Sequence, residues 1–124
     1  MSHFTTIAVE IKHGDLLKQT LESLGYPVKE NVLVRGYLGN TTYADYVIPM
    51  PNAYDIGFRK IGDRYELTAD LWGVAMDVEE FVGQLHQQYA TKVILANATQ
   101  QGFAIEQQQT LEDGTVRIVI GRCA

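Results

Sequence analysis

The 124-residue chain has the size of one ordinary domain, and its 46% hydrophobic and 20% charged content excludes a disordered protein. Fifteen acidic residues against ten basic ones give a net charge of −5, which argues against nucleic-acid binding because that binding depends on neutralising phosphates. No apolar run approaches the roughly 20 residues of a membrane span, and the single cysteine, Cys123, excludes an intrachain disulfide and favours a reducing compartment.

The first half of the chain predicts a strand, a helix and then a series of strands. The segment Ile7–Ile11 alternates apolar and polar residues, as a half-buried strand does. Asp15 is the expected N-cap of a helix through Leu24, and Gly25 ends that helix. Glycine and proline punctuation then separates four predicted strands, Val28–Tyr37, Tyr43–Met50, Tyr54–Lys60 and Tyr65–Trp72.

The second half predicts a longer helix and a closing hairpin. Asp77 opens the helix, and Glu80 three residues later completes a capping box. The segment Thr91–Gln101 contains a strand-like Val-Ile-Leu run, but its alanines and glutamines favour a continuation of the helix. The hairpin turns at an Asp-Gly pair between the strands Phe103–Leu111 and Thr115–Arg122.

Both predicted helices end in glycine, an aromatic residue and a strand, in Leu21–Tyr26 and Ala98–Phe103. Glycine C-caps followed by a hydrophobic residue are common in themselves, and a duplicated strand-helix-strand unit is the alternative explanation. Under either explanation the pattern predicts an α+β fold in a single domain over residues 1–124. We expect one mainly antiparallel sheet with helices packed on one face.

The hairpin Tyr54–Trp72 is the most informative stretch. If Gly62-Asp63 is its two-residue loop, Phe58 faces Leu67 and the whole of one face is apolar. A register shifted by one residue would mix apolar and polar side chains on both faces. The other, polar face then carries our candidate ligand-binding residues, which are Asp55, Arg59, Glu66, Asp70 and Trp72.

Asp55 and Asp70 lie opposite each other in this register, and opposed like charges destabilise a sheet. Three explanations are open. The face is solvated and the pair is tolerated, or Arg35 or Arg59 neutralises it, or the two carboxylates form a site that holds a metal ion or shares a proton. Two carboxylates are too few to specify a metal, so we assign no metal ligands.

Trp72 has two interpretations, because it either lines a surface or pocket beside Asp70 or packs in the core as lone tryptophans commonly do. His86 shows no ligand spacing with His3 or His13, which argues against a zinc site. The sequence contains no phosphate-binding loop, nucleophile elbow or Cys-x-x-Cys pair. It therefore identifies no catalytic residues, leaves the cofactor unknown, and leans against an enzyme without excluding one.

An ordered series of short motifs runs through nearly the whole chain: Met1–Ile7, Leu24–Tyr26, Arg35–Tyr37, Tyr54–Arg59, Tyr65–Leu67, Asp70–Gly73, Gln88–Ala90, Gln101–Phe103 and Glu112–Gly114. Together they resemble the cyanobacterial and plastid family called hypothetical chloroplast reading frame thirty-five, a family of unknown function. The resemblance implies a bacterial cytoplasm or a plastid stroma. Members of the family occur beside AAA-type ATPases, which suits an accessory subunit that binds such a partner.

Three functions from different classes follow from these observations. The first is a non-enzymatic accessory or adaptor protein that binds another protein, since interfaces are enriched in the aromatic residues that this chain carries. The second is a small-molecule or metal-binding protein, conceivably an enzyme, that uses the polar face of the hairpin. The third is a self-associating unit, in which an exposed strand such as Tyr43–Met50 pairs across a two-fold axis to form a homodimer.

Overall fold

The computed structural model describes residues 4–122, and His3 and Cys123 lie outside this range. It confirms the α+β fold. The elements in chain order are β1 (Phe4–Val9), α1 (Gly14–Ser23), β2 (Lys29–Arg35), β3 (Thr41–Ile48), β4 (Ile56–Ile61), β5 (Arg64–Asp70), α2 (Val78–Gln100), β6 (Phe103–Thr110) and β7 (Val116–Arg122). A short 3₁₀ turn, Tyr37–Gly39, follows β2.

Three of the four helix ends lie where the sequence predicted them. The exception is the start of α1, where His13 is the N-cap and Asp15 lies in the first turn, so the predicted Asp15 cap is wrong. The Asp15 carboxylate still favours the helix because it lies near the positive end of the helix dipole. Gly25 ends α1 with a φ of +94°, a left-handed conformation that glycine adopts without strain.

The second helix is continuous from Val78 to Gln100, which confirms the helical prediction for Thr91–Gln101. Its N-cap is Asp77, as predicted, and the carboxylate accepts a hydrogen bond of 3.2 Å from the main-chain N–H of Glu80. This bond satisfies one of the N–H groups that the first turn of a helix leaves unpaired.

The strands form two sheets rather than the single sheet expected from the sequence. Five strands make an antiparallel sheet in the order β1-β5-β4-β3-β2, while β6 and β7, within residues 4–122, pair only with each other. The duplicated strand-helix-strand unit is therefore not supported, because β2 joins the main sheet and β6 does not. The strand proposed for self-pairing, β3, lies between β2 and β4 and offers no free edge.

The register of the β4–β5 hairpin is as predicted. Phe58 pairs with Leu67, Ile56 with Ala69 and Arg59 with Glu66. Ile56, Phe58, Leu67 and Ala69 are fully buried in the main core, whereas Ile61 and Leu71 at the two ends of the predicted hairpin are exposed. The same core contains Leu17 and Leu21 of α1 and Phe81, Leu85 and Tyr89 of α2. One face of the sheet thus carries the main core, as expected.

The opposite face of the sheet is partly closed by the sheet's own curvature. A β-carbon added to Gly57 of β4 would lie 2.9 Å from Ala44 Cβ of β3 and closer still to Val34 of β2. Val34, Ala44 and Val47 form a second, smaller core there. Only glycine at position 57 lets β2 fold this closely over the middle of the sheet.

Candidate functional site

Asp55 is held by one arginine and two main-chain groups. The Arg35 guanidinium donates to both carboxylate oxygens, from Nε to Oδ2 at 2.9 Å and from Nη2 to Oδ1 at 2.7 Å. The main-chain N–H groups of Arg35 and Met50 donate to the same carboxylate at 3.0 and 3.1 Å. Asp55 is only 3% exposed, so this curled end of the sheet is built around a buried ion pair.

The charge state of Asp55 follows from these contacts. Burial alone would raise the pKa of the carboxyl group, but the hydrogen bond from Arg35 and the N–H groups of Met50 and Arg35 outweigh it and lower the pKa. The same hydrogen bond and charge raise the pKa of the Arg35 guanidinium. Both groups are therefore ionised at neutral pH.

Asp70 ties two loops together at the end of β5. Its Oδ2 accepts a hydrogen bond of 3.0 Å from the main-chain N–H of Tyr37, in the turn after β2, and its Oδ1 accepts one of 3.2 Å from the N–H of Trp72. The residue is 1% exposed. Since each carboxylate oxygen binds a different loop, Asp70 fixes where the two loops lie relative to each other.

The opposed Asp55 and Asp70 are thus explained by their separate partners. The solvated-face explanation is wrong, because both residues are buried. Arg35, one of the two cations proposed, neutralises Asp55. Among the described residues, no group of three or more His, Cys, Asp or Glu side chains is arranged to hold a metal ion.

Arg59 and Glu66, the other predicted site residues on the sheet, lie at a distance from this end. Each is four residues along its chain from the aspartate of its own strand segment, which is about 13 Å at the rise of an extended strand. Gly57 and Thr68 pair in register between the two groups, and Val34 lies against Gly57. The five candidate residues therefore form two clusters rather than one continuous polar face.

Within residues 4–122, Arg59 and Glu66 pair in register but form no ion pair. The Arg59 Nε atom is buried and has no hydrogen-bond partner in the same range.

Trp72 lies on the surface with 76% of its area exposed, so the core interpretation is wrong and the surface interpretation holds. Leu71 beside it is also exposed, as are Tyr37 and Leu38 on the other loop that Asp70 binds. We call these four residues, Tyr37, Leu38, Leu71 and Trp72, the Asp70 patch.

The backbone at Leu38 is strained. Its φ of +51° and ψ of +41° lie in the left-handed region, which costs a side chain with a β-carbon about 1–2 kcal/mol. The strain holds a leucine that is 83% exposed and gains almost nothing from burial. Gly36 at the base of the turn leaves no room for a β-carbon, which would lie 2.8 Å from the Phe4 ring.

The turn at Tyr37–Gly39 did not stand out in the sequence as part of a site. Its contact with Asp70 is non-local, because it depends on the curvature that brings the end of β2 over β5. The available signal was the spacing of Gly36 and Gly39 around an apolar pair, which marks a tight turn that exposes large side chains.

Comparison with known proteins agrees with the sequence motifs. Residues 20–119 match the model of a family described as protein of unknown function (DUF1257). The chain belongs to this family. It is 41% identical over 126 residues to the uncharacterised protein ycf35 of Guillardia theta, with 98% of each chain covered. It is also 34% identical to the ycf35 proteins of Cyanophora paradoxa and Pyropia yezoensis, again with 98% of each chain covered.

The resemblance to the chloroplast reading frame thirty-five family is therefore confirmed, and the names of the family and of these relatives assign no activity. No solved structure matches the chain. Among the described residues, neither helix combines the length and the apolar character needed to cross a membrane.

Proposed function

We propose that this DUF1257 family member is a non-enzymatic accessory protein that binds a partner protein through the Asp70 patch. The observation that supports the proposal most strongly is the pairing of a buried carboxylate with two loops that expose apolar side chains. Large aromatic and aliphatic side chains that are exposed together are typical of interaction sites.

The restraint of the two loops by Asp70 also supports the proposal. Exposed loops usually lose conformational freedom when they bind, and that loss weakens binding. Asp70 restrains both loops through the main chain, so this loss is reduced for Leu38 and Trp72. Tryptophan is also enriched among the residues that dominate binding energies.

A capture experiment tests the proposal with three variants of the full chain. Trp72→Ser and Leu38→Asn remove apolar surface from the patch, and asparagine tolerates the left-handed backbone at position 38. Leu111→Asn is the matched control, because Leu111 is exposed on the β6–β7 hairpin and lies outside the patch.

We expect tagged wild-type protein to retain a stoichiometric partner from native lysate, Trp72→Ser and Leu38→Asn to lose it, and Leu111→Asn to keep it. Equal recovery by all four proteins, or no stoichiometric partner for any of them, would refute the proposal. An AAA-type ATPase is the first partner to test directly, and the cytoplasm or the plastid stroma is the compartment we propose.

The two other functions have less support. A small-molecule or metal site on the hairpin would need Asp55 or Asp70 to exchange protein hydrogen bonds for ligand contacts, and the five proposed residues lie in two clusters. Self-association would have to use β1, β2, β6 or β7, which are the strands with an open edge in the described chain.

A further inference from the structure

An apolar groove lies beside β2, and none of the four residues of the Asp70 patch lines it. Its volume is about 740 Å³, which is within the range of ligand-binding clefts. All three prolines of the chain, Pro27, Pro49 and Pro51, line it. Proline has a fixed φ, so these walls are stiffer than ordinary loop segments. We call this feature the β2 groove.

The groove is positively charged in a protein whose net charge is −5. Its ionisable lining residues are Lys29, Arg35 and Asp55. Asp55 is already paired with Arg35, whereas Lys29 has no ion-pair partner among the described residues. An occupant with a negative charge next to apolar groups would therefore complement both the lysine and the apolar walls.

The groove also runs along an open sheet edge. β2 is the outermost strand of the five-stranded sheet. The Arg35 main chain points away from β3, because its N–H donates to Asp55 Oδ2 at 3.0 Å and its carbonyl accepts a hydrogen bond of 3.3 Å from the Asp55 N–H, so Asp55 already occupies the edge at this residue. Alternate residues of a strand direct their main-chain groups to the same edge, so Leu33 directs its N–H and C=O outward as well. The Leu33 side chain lines the groove and is 55% exposed.

We propose that the β2 groove binds an extended segment of a partner protein that contains both acidic and apolar residues. The segment pairs with the outer edge of β2 at Leu33, where Asp55 does not occupy it, its apolar side chains rest on the proline-lined wall, and a carboxylate pairs with Lys29. Strand addition supplies affinity through main-chain hydrogen bonds, and side-chain pockets supply selectivity. This inference is independent of the Asp70 patch.

The test selects phage-displayed random twelve-residue peptides on the full-length protein, and measures the affinity of one synthetic selected peptide by fluorescence anisotropy. We expect the selected sequences to alternate apolar residues and to contain Asp or Glu. Lys29→Glu should weaken binding about tenfold, since the attraction is replaced by a repulsion of similar size. Lys60→Glu, a matched exposed lysine outside the groove, should change the affinity less than about twofold.

Two further measurements separate strand addition from other kinds of binding. A peptide with N-methyl groups at alternate residues should lose affinity, and hydrogen exchange of the Leu33 amide should slow when the unmodified peptide binds. Trp72→Ser should leave peptide affinity unchanged, so that failure at the groove is distinguishable from failure at the Asp70 patch.

The proposal is overturned if the selected peptides lack acidic residues, if Lys29→Glu binds them as well as wild type, or if the Leu33 amide exchanges at the same rate with and without peptide. Dodecanoate is the probe for a small amphipathic anion. If it binds in a Lys29-dependent manner while no peptide is selected, the groove is a small-molecule site and the peptide proposal is wrong.

Discussion

Removing the Asp55 carboxylate should destabilise the protein severely. Asp55→Ala leaves two main-chain N–H groups, those of Arg35 and Met50, without their acceptor. Each unsatisfied buried donor costs about 1–3 kcal/mol. The Arg35 guanidinium loses its partner as well, but its side chain is 57% exposed and water can replace the carboxylate, so this adds at most about 1 kcal/mol.

The expected loss is therefore about 2–7 kcal/mol, a large part of the 5–15 kcal/mol that a domain typically has. Urea unfolding followed by circular dichroism measures it. Glu30→Ala is the control, because it removes an exposed ion pair with Lys18 at a similar distance of 3.1 Å, and it should cost less than about 1 kcal/mol. If Asp55→Ala costs no more than Glu30→Ala, the ion pair does not organise this end of the sheet.

The same residue predicts how stability depends on pH. The pKa of Asp55 is lowered in the folded state, so its ionisation stabilises the fold above the unfolded pKa of about 4. That contribution is lost as the pH falls through the lower, folded-state pKa. The difference in the free energy of unfolding between wild type and Asp55→Asn should be largest at pH 7 and should decrease below about pH 4. A gap that stays constant from pH 7 to pH 2 would contradict this assignment.

Three further predictions concern the rest of the fold. Gly57→Ala should lower the free energy of unfolding in urea by about 1–3 kcal/mol, because its methyl group would collide with the second core. Gly83→Ala is the control, because its β-carbon meets nothing within 4 Å. It should stabilise α2 by up to about 1 kcal/mol. Asp77→Ala should cost about 1 kcal/mol through the lost helix cap in the same assay. Burial, with Tyr46 and Asp45 nearby, raises the pKa of Tyr65 to about 12, so at pH 11 an absorbance titration should find one more un-ionised tyrosine in wild type than in Tyr65→Phe.

The sequence predicted the helices and strands well because caps, turn residues and the alternation of apolar residues act over a few neighbouring positions. The hairpin register followed from the alternation of Ile56, Phe58 and Leu67 and from the Gly-Asp loop, which together exclude a shifted pairing. The long second helix followed from its Asp77 cap and its later alanines and glutamines. The separate β6–β7 sheet was missed, because two-residue alternation predicts a strand and does not specify the sheet that the strand joins.

The candidate site was predicted only in part because its geometry depends on sheet curvature. Asp55 and Asp70 were identified correctly as requiring an explanation, and Arg35 was one of the partners considered. The turn carrying Tyr37 and Leu38 reaches Asp70 only after β2 has curled across the second face. No pattern within β2 predicts that curl, although Gly57 on a different strand permits it.

The curvature also explains why two aspartates can lie opposite each other in this sheet. In a flat sheet their charges would repel each other in a solvated row. Here the end of β2 inserts between them and solvent, so that Arg35 reaches one carboxylate and the Tyr37 N–H reaches the other. The aspartates in turn hold the curled strand in place. The same carboxylate of Asp70 binds the main chain at Tyr37 and at Trp72, so the loops that expose Leu38 and Trp72 are held by this arrangement.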